Sequence, residues 1–249
     1  MEDACHALGA RYQTGTEKSR VGDGAYADLT TFSFHPVKAI ASGEGGMISG
    51  RNGELLSRVR RLRDHGIVRD ASSFEARDQA FESNYESYPW YYEMPEVGLN
   101  YRLSDILCAL GLSQLSRLGA FIQRRADLTE QYRIALADLN PAVRSLPTVR
   151  TCHPAWHLFV VLIDFNAIGI TRSALMRALM AKGIGSQVHY IPLYRQPYYR
   201  RRYGDLRLPG AEAYYDRCLS LPLFPDMTEK DVNRVVTALR EVIARPNSV

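Results

Sequence analysis

The stretch TFSFHPVKAIASGEGGMISG, residues 31–50, constrains this chain more than any other. A run of apolar β-formers ends at a lone lysine, and a cluster of small and acidic residues follows before a second short apolar run flanked by glycines. AYADLTTFSF (25–34) and GGMISG (45–50) are predicted as strands, both mostly buried, and the loop between them carries Lys38. A lysine at the end of a buried strand is placed differently from one on a helix face. It becomes a catalytic amine if its surroundings lower its proton affinity and an electrophile is held nearby; otherwise it is a solvated loop charge, with His35-Pro36 as turn chemistry.

The remainder alternates helical and extended patterns. Leu55, Leu56, Val59 and Leu62 recur at helical spacing with Arg58, Arg60, Arg61 and Arg63 between them, an amphipathic helix ending near Gly66 with its arginines on the solvated face. Residues 69–97 show no sustained period and read as a long loop. A helix starts at Ser104-Asp105, bends near Gly119 and runs toward Asn140-Pro141, linking two domains, 1–125 and 126–249. Strands are expected at HLFVVLID (157–164) and SQVHYIPL (186–193). Helices are expected at TRSALMRALMAKG (171–183), with a Thr cap and a Gly stop, and at the carboxyl end behind Thr228. This order predicts an α/β protein.

Composition narrows the partners. With 31 Lys and Arg against 27 Asp and Glu, the net charge of +4 is too weak to imply nucleic acid or an anionic membrane. YYRRRYG (198–204) is the one basic aromatic cluster that could stack bases, and it has no second patch beside it. No apolar run approaches the ~20 residues of a membrane span, and Met1-Glu2-Asp3 lacks a basic leader, so a cytoplasmic protein is expected. Cys5, Cys108, Cys152 and Cys218 include no C-x-x-C pair and read as scattered buried thiols; no metal site is expected.

EDACHALGA (2–10), SFHPVK (33–38) and GEGG (43–46) together resemble the DegT-type nucleotide-sugar aminotransferases. These are pyridoxal phosphate enzymes of fold type I, with motifs of the form E-D-A-x-H/Q-x-x-G-A followed by S-F-x-x-x-K. The resemblance continues through DHGIVRD (64–70), GLNYRLSDILCALGLSQL (98–115), QVHYIPLYRQPYY (187–199) and LSLPLFPDMT (219–228). Within the family the text is most similar to transaminases of pseudaminic acid synthesis.

The resemblance implies that Lys38 carries the cofactor aldehyde and, once freed, shuttles a proton. Asp3 then faces the pyridine nitrogen, His6 lies against the ring, Ser33 binds the phosphate, and Asn100 reaches the phosphate of a neighbouring subunit in a homodimer. It further implies a 4-keto-6-deoxy nucleotide sugar as substrate, an amino acid donor, with glutamate expected, and sugar contacts from His189 and Tyr190.

Each residue also has a plainer use. Asp3 suits a cap for the turn after it, Ser33 is a small strand residue, Asn100 ends a loop, and His189-Tyr190 could pack the smaller domain. Relatives have a long portion ahead of the E-D-A motif, so this chain is expected to hold only part of the large-domain sheet beside the small α/β domain, leaving strand edge and apolar surface exposed. The second reading is accordingly a non-catalytic remnant that binds a partner. Cys5 and Tyr194 depart from the family pattern. Cys5 reads as a small-residue exchange, and Tyr194, where relatives often carry His, bears on the sugar.

Overall fold

A computed structural model of the chain describes residues 1–244. In chain order the strands and α-helices begin with β1 (Glu2–Asp3), β2 (Arg11–Thr14), β3 (Glu17–Arg20), β4 (Leu29–Ser33), β5 (Gly46–Gly50), α1 (Gly53–Arg63) and α2 (Arg77–Ala80). Then come α3 (Asp105–Leu115), α4 (Leu118–Ala135), β6 (Val143–Ser145), β7 (Cys152–His153), β8 (Phe159–Ile163) and α5 (Arg172–Ala181). The last elements are α6 (Pro197–Tyr203), α7 (Pro209–Tyr215), β9 (Cys218–Leu221) and α8 (Glu229–Ala244). They form two compact units: Met1–Leu8 with Thr16–Ser116, and Gly9–Gly15 with the chain from Arg117 onward.

In the first unit β4 is the central strand, parallel to β1 and antiparallel to β5. Thr30 and Phe32 of β4 are buried, as the strand expectation required. Strand β5 is not: its first three residues are exposed, because a strand's burial depends on a layer packed over it, and none of this unit's described elements covers Met47 and Ile48. Helix α1 forms where expected, with Asn52 accepting from the N–H groups of Glu54 and Leu55, yet no residue of it is buried. The 69–97 region is largely irregular, pinned by bridges such as Val68–Glu93. Helix α3 starts on the expected Ser104 cap. The helical run is interrupted at Ser116–Arg117 rather than bent at Gly119, which lies inside α4.

The second unit holds the core. Its sheet runs β6-β8-β9, all antiparallel, with Phe159 opposite Leu221 and Val161 opposite Leu219. Leu128 and Tyr132 of α4, Leu175 and Leu179 of α5, and Val232, Val235, Val236, Leu239 and Val242 of α8 pack in one buried cluster with this sheet. The spacing on α8 puts these side chains on one stripe, each buried aliphatic group stabilising by roughly 1.5–3 kcal/mol. The helix starts at a reciprocal cap in which the Thr228 N–H and hydroxyl both donate to Asp231 at 2.7 Å. Tyr132 stacks on Phe159 at 4.5 Å and donates its hydroxyl to the Pro222 carbonyl at 2.9 Å; burial pushes its phenol well above the ordinary range. Helix α5 keeps both expected signals, the Thr171 cap and Gly183 at φ 71°.

The expected strand at 186–193 does not form. Only Gln187 pairs with the sheet, exchanging both backbone bonds with Ser220, and Pro192, which has no N–H, lies in the chain that leaves the ladder. The cysteine expectation also needs correction: Cys218 is buried, Cys5 is half-buried, and Cys108 and Cys152 are exposed. Among the described residues no single helix is long and apolar enough to cross a membrane, and no group of His, Cys, Asp and Glu could hold a metal ion.

Candidate active site

The first-unit cluster is built by strand pairing. Strands β1 and β4 are parallel, with Glu2 opposite Thr30 and Asp3 opposite Thr31, and both strands end toward the same side. Asp3 closes β1 and Ser33 closes β4, so two of the candidate residues sit at the carboxyl ends of parallel strands, where ligands of α/β sheets commonly bind. The Glu2 carboxylate accepts from the buried Thr30 hydroxyl at 2.9 Å and the Ala4 N–H donates to the Thr31 carbonyl at 2.9 Å, which continues the register past Asp3.

Lys38 lies on the loop from β4 to β5, and that loop is closed at its root. The Phe34 N–H donates to the Gly45 carbonyl at 2.8 Å and the Ser42 N–H to the Phe34 carbonyl at 3.0 Å. Ala39, Ile40 and Ser42 are buried, anchoring the residues that follow the lysine. Gly45 is required by geometry: at φ 139° a Cβ would stand 2.8 Å from Leu103 Cδ1. The lysine is therefore tethered by neighbours that cannot move freely.

Electrostatics connects these groups. Burial lowers the proton affinity of Lys38 below the ordinary lysine value, opposed by the nearby Cys5 and Asp3. Hydrogen bonds from the Cys5 side chain and N–H hold Asp3 below the ordinary carboxylate range against a small effect of burial, and the charges of His6 and Lys38 add to this. The structure thus brings Asp3, Cys5, His6 and Lys38 together. The Ser33 hydroxyl accepts from the His35 N–H at 3.4 Å, which leaves its own hydrogen to donate.

The remaining candidates sit on other features. Asn100 is exposed and bridges Asp64 just past the end of α1, with the neighbouring Tyr101 N–H donating to the Arg63 carbonyl. His189 and Tyr190 belong to the second unit. His189 Nδ1 lies 2.7 Å from the Ser220 hydroxyl, its carbonyl accepts from Tyr214 at 3.1 Å, and the Tyr190 ring meets it edge-on at 4.6 Å. Tyr194 is committed locally, donating to Glu212 at 2.6 Å beside the Arg195–Glu212 ion pair. In α6 the arginine-tyrosine cluster packs on itself, Tyr199 stacking with Tyr203 and Arg202 lying over Tyr203.

Cys5, whose N–H donates to Asp3 Oδ1 at 3.1 Å, is the neighbour of the candidate cluster that sequence reasoning missed. The available signal was the i, i+2 spacing of Asp3 and Cys5, the spacing of an Asx turn.

Solved structures of similar fold include sugar aminotransferases. Helicobacter pylori PseC, an aminotransferase involved in the biosynthesis of pseudoaminic acid, superposes with a TM-score of 0.81 at 26% identity, over 97% of this chain and 58% of that one. A putative sugar aminotransferase from Streptococcus pneumoniae, Spr1654 in its PMP form, gives 0.81 at 26% identity, covering 98% and 58%. S. venezuelae DesV gives 0.77 at 30% identity, covering 97% and 57%. The chain therefore spans somewhat under three fifths of the length of these relatives, and its α/β architecture is that part of the fold type I aminotransferase fold. Residues 1–240, which include the whole cluster around Asp3 and Lys38, match one protein family. The chain belongs to the DegT/DnrJ/EryC1/StrS aminotransferase family.

Proposed function

We propose that the protein binds pyridoxal phosphate and transfers an amino group to a nucleotide-linked 4-keto-6-deoxy sugar, with glutamate the expected donor, as a cytoplasmic homodimer. The observation that carries this reading is the placing of Asp3 at the carboxyl end of β1 and of Lys38, made less basic by burial, on the loop that follows the adjacent parallel strand β4. The family supports the reaction class. The likeness to PseC supports a sugar of the pseudaminic acid type.

The residues present fit the cofactor by the chemistry of their donor set. Lys38 offers an amine to an aldehyde, Asp3 an anion to a ring N–H, His6 a flat face to the ring, and Ser33 a hydroxyl to a phosphate oxygen. When bound, the cofactor supplies an electron sink for the carbon that loses its proton. Lys38 spends more of its time as the neutral amine than an ordinary lysine, and that form can bond to an aldehyde carbon and can accept a proton on Nζ. Asp3 remains anionic and so keeps a facing nitrogen protonated. Sugar contacts fall to His189 and Tyr190, with Ser220 fixing the imidazole orientation, and Asn100 serves a neighbouring subunit.

The test is the visible spectrum of the purified chain with pyridoxal phosphate, followed by borohydride reduction and mass spectrometry of the labelled peptide. A single label on Lys38, lost in Lys38→Ala, is the expected result. Undiminished labelling in Lys38→Ala would sink the assignment.

A second reading, a chain that binds a partner without turning over substrate, is favoured by the apolar surface of the first unit. Val97, Ile106 and Trp90 are 84%, 82% and 71% exposed. Specific Lys38 labelling with turnover of a UDP-linked keto sugar decides against it.

A further inference from the structure

The motifs DHGIVRD and GLNYRL meet at the carboxyl end of α1, where residues 96–102 are laid against the last turn. The Leu99 N–H donates to the Leu62 carbonyl at 2.7 Å and the Tyr101 N–H to the Arg63 carbonyl at 2.9 Å, so this segment takes up two carbonyls that a helix end leaves unpaired. The His65 N–H donates back to the Leu99 carbonyl at 2.9 Å, with His65 itself at φ 61°. Two glycines permit the approach: a Cβ on Gly66 would stand 1.8 Å from the Glu96 carbonyl oxygen, and one on Gly98 would stand 2.1 Å from the Gly66 nitrogen. The backbone bonds of Leu99 and Tyr101 fall on either side of Asn100, which itself bridges Asp64.

Burial does not hold the segment, since Leu99, Asn100 and Tyr101 are all exposed. Ion pairs flank it instead. Ahead of Asn100, the Glu96 carboxylate accepts from Arg61 Nε at 2.8 Å and from the Arg58 guanidinium at 3.2 Å, both on α1. Behind it, the Arg102 guanidinium pairs with Asp64, the residue that caps α1. An isolated exposed ion pair contributes little, whereas a carboxylate shared by two arginines of one helix forms a network.

We propose that Glu96 and Arg102 are positioning residues: anchored on Arg58, Arg61 and Asp64, they clamp the backbone on both sides of Asn100 and so aim its side chain at the cofactor phosphate of a neighbouring subunit. This rests on the cofactor reading and the role of Asn100 given above. The clamp acts on the phosphate alone, which separates it from a general support of the fold.

The test uses the full chain and the variants Glu96→Gln, Arg102→Gln and Asn100→Ala, singly and combined. Affinity for pyridoxal phosphate and for pyridoxal, which lacks the phosphate, is read from visible absorbance, with borohydride labelling of Lys38 as the check of site. Asn100→Ala is expected to weaken pyridoxal phosphate about tenfold or more, the loss of one hydrogen bond to a charged oxygen. Glu96→Gln and Arg102→Gln are each expected to weaken it about three- to ten-fold, to leave pyridoxal within about twofold, and to have no further effect in the Asn100→Ala background. Without cofactor, both are expected to speed hydrogen exchange in peptides spanning 96–102. Unchanged pyridoxal phosphate affinity in either variant, an equal loss for pyridoxal, a loss that persists in Asn100→Ala, or unchanged exchange overturns the proposal. An Asn100→Ala variant that binds as the unmodified chain does overturns instead the role of Asn100, and an unlabelled Lys38 overturns the cofactor reading; the clamp falls with either.

Discussion

Lys38 and Asp3 respond to pH in opposite ranges, and the signs follow from their surroundings. The folded-state proton affinity of Lys38 lies below the ordinary value of 10.5 because burial disfavours its charge. Between the lowered value and that of the unfolded chain, the unfolded state binds more protons, so folding gains stability as pH rises through this alkaline window. Asp3 behaves as a depressed carboxylate: its contribution is present above the ordinary value of 3.8 and is lost as pH falls through its lower folded value. For Lys38 the same shift predicts that attachment of pyridoxal phosphate reaches half its maximal rate at a pH below that of a free lysine analogue, checked by following absorbance across pH. A profile no different from the analogue's contradicts the buried amine. Among single residues, Lys38 was singled out by the motifs EDACHALGA, SFHPVK and GEGG taken together, and its place after a strand did not suffice. Cys5 was not, since the bond from its N–H to Asp3 shows only once the turn after β1 is folded.

At the level of elements, local signals were read well and tertiary ones poorly. Helices α5 and α8 carry their own caps and one apolar stripe, so nothing beyond about 20 consecutive residues is needed to see them. The failed strand at 186–193 has β-prone residues, but its pairing depends on the distant Ser220, and only Gln187 reaches that partner. Strand β9 was quoted as a motif and not recognised as a strand, because its four residues are buried on both faces and show no alternation. The exposure of β5 was equally invisible, since the sequence of a strand does not state what covers it. Helix α8 should account for a large share of the second unit's stability. Leu239→Ala removes a fully buried side chain from the cluster and is expected to cost about 2–5 kcal/mol, measured as a fall in the denaturant midpoint of a tertiary probe. A loss below about 1 kcal/mol would mean that the site collapses around the gap.

Over the whole molecule the two units differ in how much they bury. Every member of the large apolar cluster lies between Leu128 and Val242, in the second unit. The described buried residues of the first unit are few and mostly small, including Ala4, Ala39, Ala80 and Ser42, while Trp90, Val97 and Ile106 face outward. Opening free energies should therefore be unequal. Hydrogen exchange followed by mass spectrometry is expected to show peptides from β8, β9 and α8 protected longest and peptides from 85–112 exchanging first. Uniform protection across both units would instead point to a cover over the apolar surface, as self-association of the chain provides. The fold class and the family motifs were readable from the sequence, because each depends on which residues are present and in what order.

The chain's path between the units has a consequence for anyone who dissects it. Seven residues, Gly9–Gly15, leave the first unit and belong to the second, where Arg11 and Tyr12 of β2 pair with His153 and Cys152 of β7. A cut between Ser116 and Arg117 thus does not yield two independent modules: the amino-terminal piece carries away a strand whose hydrogen-bonding mate stays on the other piece. The amino-terminal fragment would hold a piece of the second unit, and the carboxyl-terminal fragment would be left with an open strand edge at β7.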